Sequence, residues 1–173
     1  MNEGMKHLIL MRHASAGPGE VDRERPLSPQ GQREAQQMGR ALRALSARGF
    51  RPEQALVSPA RRARETLAGV RAALTALAGV EEDDALYLAS AGKVLARLQQ
   101  LPEPTAQLLL VGHNPGLAEL AQLLVERAEA DVLVRAARGL APAAFAALRI
   151  PARRWREVEP ACAELVEFLR PGD

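Results

Sequence analysis

Leu8-Ile9-Leu10-Met11-Arg12-His13 is an apolar run that stops abruptly on a cation and an imidazole. Ala14, Ser15, Gly17, Pro18 and Gly19 come next, so the run reads as a buried strand entering a loop. In α/β proteins a buried parallel strand carries its C-terminal end to the mouth of a crevice, where ligands bind. Arg12 and His13 therefore belong to such a mouth rather than to the core. An arginine reads phosphate or carboxylate as a planar donor fork, and a histidine serves as nucleophile or proton carrier near neutral pH. An accidental Arg-His pair on a surface loop would look the same in isolation. The reading depends on what else the chain brings to that edge.

Working outward, Ser28-Pro29 opens a helix: serine is a favoured N-cap and proline is tolerated in the first turn. Ala35, Met38, Leu42 and Leu45 give it one apolar face, and Gly49 ends it. Residues 53–57, closing in Ala55-Leu56-Val57, read as a second buried strand. Ser58-Pro59 repeats the start signal and predicts a helix to about Leu77, with Ala63, Leu67, Val70, Leu74 and Leu77 as its stripe. Glu81 to Asp84 reads as an acidic loop, Leu86-Tyr87-Leu88 as an extended segment, and Ser90 as the cap of a helix to about Gln100. Beyond Pro102 and Pro104, a third strand over Gln107–Val111 runs into Gly112-His113. Asn114-Pro115 then opens a helix to about Arg127. Phe145 to Ile150 reads as a strand and Trp155 as a packing anchor, whereas Cys162 to Leu169 fits neither the helical nor the strand period. Strands alternating with capped helices are the signature of a parallel sheet flanked by helices.

The 173 residues fit one domain, long enough to bury a substantial core, and 47% hydrophobic with 25% charged residues is the composition of a soluble globular protein. Aromatics at 3% argue against a base-stacking surface for single-stranded nucleic acid. The net charge is only +2, Lys6 and Lys93 are the only lysines, and no basic block forms a nucleic-acid arm. Cys162 stands alone, so no internal disulfide is possible. His7, His13 and His113 are far apart in sequence, without the paired spacing of a zinc site. There is no signal-peptide h-region and no membrane-spanning run, so neither a nucleic acid nor a membrane is an expected partner, and the expected compartment is the cytoplasm.

In a parallel sheet all strand C-termini face one edge. Arg12-His13 ends the first strand and Ser58 the second, with Arg62 in the first turn of the following helix, and Gly112-His113 ends the third. Two arginines, two histidines and helix N-termini with unpaired N–H groups make a pocket for a tetrahedral dianion. Ser58 and Asn114 read as caps, Arg61 and Arg64 as solvated, and His7 as a strand-flanking residue.

The chain resembles the histidine phosphatase superfamily, with its phosphoglycerate-mutase-like fold, and within it the small branch of SixA-like phosphohistidine phosphatases. Leu10-Met11-Arg12-His13-Ala14, Asp22 with Arg25-Pro26-Leu27-Ser28 and Gly31, Ser58-Pro59 with Arg62-Ala63 and Thr66, and Val111-Gly112-His113-Asn114-Pro115 carry the resemblance. The blocks stand in the family's order across most of residues 6–116. Beyond residue 130 the resemblance rests on a strand followed by Trp155. Ala14 replaces a glycine common in relatives, as it often does in the small branch.

The resemblance implies one histidine-phosphatase domain over residues 1–173, a three-layer α/β/α structure with a mostly parallel central sheet. It implies that His13 is the phosphoryl-accepting nucleophile, that Arg12 and Arg62 clamp phosphate, and that His113, protonated, is the second histidine of the pocket. A loop carbonyl is expected to hold the other ring nitrogen of His13 as a donor. No cofactor or metal is expected, since the arginines do the neutralising. A general acid is hard to assign: Asp22 is the candidate, with Glu20 and the Glu81–Asp84 stretch as alternatives. The expected activity is removal of a phosphoryl group through a covalent phosphohistidine, from a phosphorylated protein such as a histidine-phosphotransfer domain. A small-molecule phosphomonoester phosphatase or mutase, and a non-catalytic phosphoprotein-binding module, remain alternative readings. Gly17-Pro18-Gly19 matches neither a dinucleotide-binding fingerprint nor a P-loop.

Overall fold

The apolar run forms β1 (Lys6–Arg12), buried along all but its last residue. Side chains alternate across a strand, so Leu8 and Leu10 enter one core while Ile9 and Met11 enter the other. The computed structural model describes residues 4–173. In chain order α1 (Pro29–Leu45), β2 (Gln54–Val57), α2 (Arg61–Arg71), β3 (Gly79–Glu82) and α3 (Ala91–Gln99) follow. Then come β4 (Gln107–Gly112), α4 (Gly116–Leu124), β5 (Val125–Ala128), α5 (Ala130–Ala136), β6 (Phe145–Ile150) and β7 (Ala163–Leu169).

The seven strands form one sheet in the order β3-β2-β4-β1-β6-β7-β5. Four of its six pairings are parallel; β1 with β6 and β6 with β7 are antiparallel. Met38 and Leu42 of α1 and Leu67 and Val70 of α2 cover one face. Val94 and Leu98 of α3, Leu117 and Leu120 of α4, and Trp155 cover the other. The three-layer α/β/α arrangement is therefore as expected. The Trp155 indole N–H donates to the Thr105 carbonyl at 2.7 Å, which satisfies the polar edge of the largest buried ring.

Several element boundaries differ from the expectation. Glu81 and Glu82 belong to the edge strand β3 rather than to a loop, and Leu86 closes a 3-10 turn over Asp84–Leu86. The helix predicted from Ser58 to Leu77 begins at Arg61, behind Ala60, and ends at Arg71. The helix after Pro115 stops at Leu124, and β5 and α5 take up the following residues. Among the described residues no helix is long and apolar enough to cross a membrane.

Candidate active site

The strand register brings the site together. Arg12 pairs with Gly112 and Val57 with Val111, so β1, β2 and β4 end level with one another. Backbone bonds continue the alignment past the strand ends. The His13 N–H donates to the Gly112 carbonyl and the Ser58 N–H to the Val111 carbonyl, each at 3.0 Å. The loop after β1 is pinned from beneath. The Ala14 N–H donates to Thr66 Oγ1 at 2.9 Å, and the Ser15 N–H and Oγ each donate to the Glu34 carboxylate at 2.9 Å. Gly31 lets α1 begin against this loop: a Cβ there would lie 2.0 Å from the Ser15 carbonyl oxygen.

Arg12, His13, Arg62 and His113 all converge here. The ring centroids of His13 and His113 are 5.1 Å apart. His13 Nδ1 lies 2.8 Å from the Ala14 carbonyl, and Arg62 Nε donates to His13 Nε2 at 3.3 Å. A carbonyl can only accept and a guanidinium can only donate, so both contacts fix the same tautomer. Nδ1 carries the proton and Nε2 presents a lone pair. Burial, followed by the charges of Arg62, Arg12 and Arg25, pulls the His13 pKa down to about 4. The ring is therefore neutral at pH 7.

His113 is 3% exposed. Its Nε2 lies 2.6 Å from Ser58 Oγ, while its Nδ1 is buried without a hydrogen-bond partner. Burial, then the neighbouring His13, Arg62 and Arg12, lowers its pKa to about 3. Among arginines and out of water, the surroundings disfavour the protonated ring that was expected at His113. Arg12 donates to the Leu140 carbonyl at 3.2 Å through Nη1, and its buried Nε also has no partner.

Arg62 is 4% exposed and reaches outward as well as inward. It donates through Nη1 to the Asp22 carbonyl at 2.6 Å and through Nη2 to Asp22 Oδ2 at 3.1 Å. Tyr87 donates its hydroxyl to the same Oδ2 at 2.5 Å, with its ring edge-on to His113. The Tyr87 hydrogen bond first, and then Arg62, hold the Asp22 pKa down to about 2. A general acid needs the opposite shift, so these surroundings disfavour the proton-donating role expected for Asp22. Arg97 holds Glu81 and Asp83, Arg64 faces Glu82, Arg23 holds Asp84, and Glu20 is exposed on the loop.

The contacts that Ser58, Thr66, Glu34 and Tyr87 make at the site escaped sequence reasoning, although Ser58 and Thr66 stand in the motifs that carry the resemblance. Ser58 was expected to cap a helix; it is fully buried against His113, because it follows β2 directly and α2 starts three residues later. Asn114 donates to the Leu140 carbonyl at 2.8 Å instead of capping, and Pro115 precedes α4. Tyr87 carried one signal, being the only tyrosine of the chain, set in an acidic stretch.

Residues 8–130 match the family described as the histidine phosphatase superfamily, branch 1. An uncharacterized protein from Mycobacterium tuberculosis is 40% identical over 166 residues, covering 93% of this chain and 99% of its own length. The structure of a candidate phosphohistidine phosphatase SixA from Nakamurella multipartitia superposes with a TM-score of 0.79 at 30% identity, covering 98% of each chain. A corresponding candidate SixA from Agrobacterium tumefaciens gives 0.74 at 27% identity, with 96% of this chain and 99% of that one covered.

Proposed function

The chain belongs to the histidine phosphatase superfamily, and we propose that it hydrolyses phosphohistidine on a protein through a covalent phosphoryl intermediate on His13. One observation carries the reading: His13 Nε2 presents a lone pair in a pocket that also holds two buried nitrogens without protein partners, Arg12 Nε and His113 Nδ1. A buried unpaired donor costs roughly 1–3 kcal/mol, and phosphoryl oxygens supply acceptors for both. The His113 tautomer fits this role. The Ala60 N–H donates to Ser58 Oγ at 3.3 Å, and a serine proton directed at His113 Nε2 would leave the ring proton on Nδ1. His113 then acts as a neutral donor, and Arg12 and Arg62 carry the positive charge.

His13 Nε2 attacks phosphorus in line. As the new N–P bond forms, the bond to the leaving group breaks, and Arg62 Nε turns from the ring to an equatorial oxygen. The two arginines and His113 stabilise the charge that spreads over those oxygens. Water then attacks the phosphoryl group, the N–P electron pair returns to Nε2, and phosphate leaves.

Two features favour phosphohistidine over a sugar phosphate. The Asp22 carboxyl bound to Arg62 is held in its ionised form, and an alkoxide needs a proton to leave, whereas an imidazole whose ring already carries one does not. The stretch between Thr66 and Lys93 is taken up by the rest of α2, β3 and a 3-10 turn, which leaves no long lid to enclose a small substrate. The test compares kcat/KM for a phosphohistidine protein, an aryl phosphate and a sugar phosphate with one enzyme preparation. The expected order is phosphohistidine first, aryl phosphate second and sugar phosphate last. A preference for sugar phosphates would move the protein to small-molecule chemistry.

A further inference from the structure

Asp22 sits where the buried pocket meets solvent. Its side chain is 47% exposed, while Arg62, which it touches, is 5% exposed. One guanidinium thus links the rim to the nucleophile: Nε contacts His13, and Nη2 contacts Asp22. With His13 as nucleophile, an in-line leaving group would depart on the side of phosphorus away from Nε2, toward the opening of the pocket. Three contacts hold the carboxylate there, from the Tyr87 hydroxyl, the Arg62 Nη2 and the Arg25 Nη1 at 3.4 Å, and Arg62 Nη1 also grips the Asp22 backbone carbonyl. Arg23 of the same 3-10 turn adds an ion pair to Asp84 and lies over the Tyr87 ring. So many restraints fix a negative charge beside the departing group.

We propose that Asp22 is the specificity residue of the site, selecting a leaving group that brings its own proton, a phosphoimidazolium, over an alcohol. The role rests on the reading of His13 as nucleophile. In a phosphohistidine substrate the ring nitrogen remote from phosphorus can carry a proton, which makes the ring a cation. The Asp22 carboxylate accepts the hydrogen bond from that N–H and favours the cationic ring. His13 Nε2 forms its bond to phosphorus, and the substrate N–P bond breaks with its electron pair going to the substrate ring. The ring leaves as neutral imidazole with its proton in place, and the positive charge passes to phosphorylated His13. No proton moves to or from the enzyme in this step. For an alkyl ester the same carboxylate opposes the negative charge growing on oxygen and has no proton to give.

The experiment measures kcat/KM of wild-type protein, Asp22→Asn and Asp22→Glu on three substrates: a phosphohistidine peptide, p-nitrophenyl phosphate and glycerol phosphate. Thermal melts establish that all three proteins are folded, and Asp22 lies on the surface. Asp22→Asn should lower the ratio of phosphohistidine to p-nitrophenyl phosphate turnover by about tenfold or more, the scale of one charge-assisted hydrogen bond. Asp22→Glu, which keeps the charge, should recover part of that ratio. An equal fall on both substrates would reduce Asp22 to a positioning residue for Arg62 and overturn the proposal. A fall confined to glycerol phosphate would make Asp22 a general acid and overturn it too. Wild-type protein inert toward the peptide would sink the substrate assignment and this role together. An active wild type with an unchanged ratio in Asp22→Asn would sink this role alone.

Discussion

His13 and His113 are held neutral by the same surroundings that equip the site to take an anion. Burial removes the water that would solvate an imidazolium, and Arg62 and Arg12 repel a further positive charge, so both rings release their protons at lower pH than usual. The sign matters for catalysis. A nucleophilic histidine works only in its unprotonated form, so a lowered pKa keeps it competent across the neutral range. NMR titration of the imidazole nitrogens should find both rings neutral from pH 7 down to 5, with half-protonation of His13 at about 4 and of His113 at about 3. The His13 nitrogens should also show the proton on Nδ1. A midpoint for either ring near the ordinary 6.5 would contradict the electrostatics described.

At the scale of elements, α2 decides which of its arginines serves the site. Arg62 shares the inward face with Ala63, Thr66, Leu67 and Val70. Arg61 turns to Glu65 and Arg64 to Glu82, both at the surface. Arg62→Ala should cost roughly 2–4 kcal/mol of transition-state stabilisation in kcat/KM, the scale of a lost preorganised donor. Arg61→Ala and Arg64→Ala should be nearly silent, and equal losses from all three would misplace the helix. This much was legible in the sequence, because α2 follows an apolar strand and carries a clear helical stripe. The same holds for β1, β2, β4 and the groups at their ends. Edge elements were not legible. β3 has two glutamates and an exposed valine, so it lacks the apolar pattern of a strand. β5 is four residues long and continued an apparently helical run. The undecided segment after Cys162 is β7, and its period fails for a definite reason. A register shift sets Ala147 opposite Glu167 but Leu148 opposite Leu165, so Val166 is an extra residue and is buried next to buried Leu165. Side-chain partners such as Ser58–His113 and Tyr87–Asp22, 55 and 65 residues apart, leave no local pattern at all.

For the whole molecule, the sheet order places β1 between parallel β4 and antiparallel β6, in the most protected part of the fold. Both faces of β1 are sealed by apolar cores, so Arg12 and His13 project from a rigid base. The β6 side of the sheet contributes as well: the Arg12 N–H donates to the Ala144 carbonyl, and the Ala143 N–H donates to the His13 carbonyl. Residues 14–27 close over the same edge and bring Asp22 to Arg62, so His13 and the exposed rim belong to one continuous network. The account stands or falls on His13 accepting the phosphoryl group. The direct measurement is rapid quenching of wild-type protein with labelled phosphohistidine substrate, followed by peptide mapping. The account predicts one phosphoryl group on His13, labile in acid and stable in alkali, and its loss together with turnover in His13→Ala. A phosphoryl group on another residue, or near-normal turnover by His13→Ala, would contradict it.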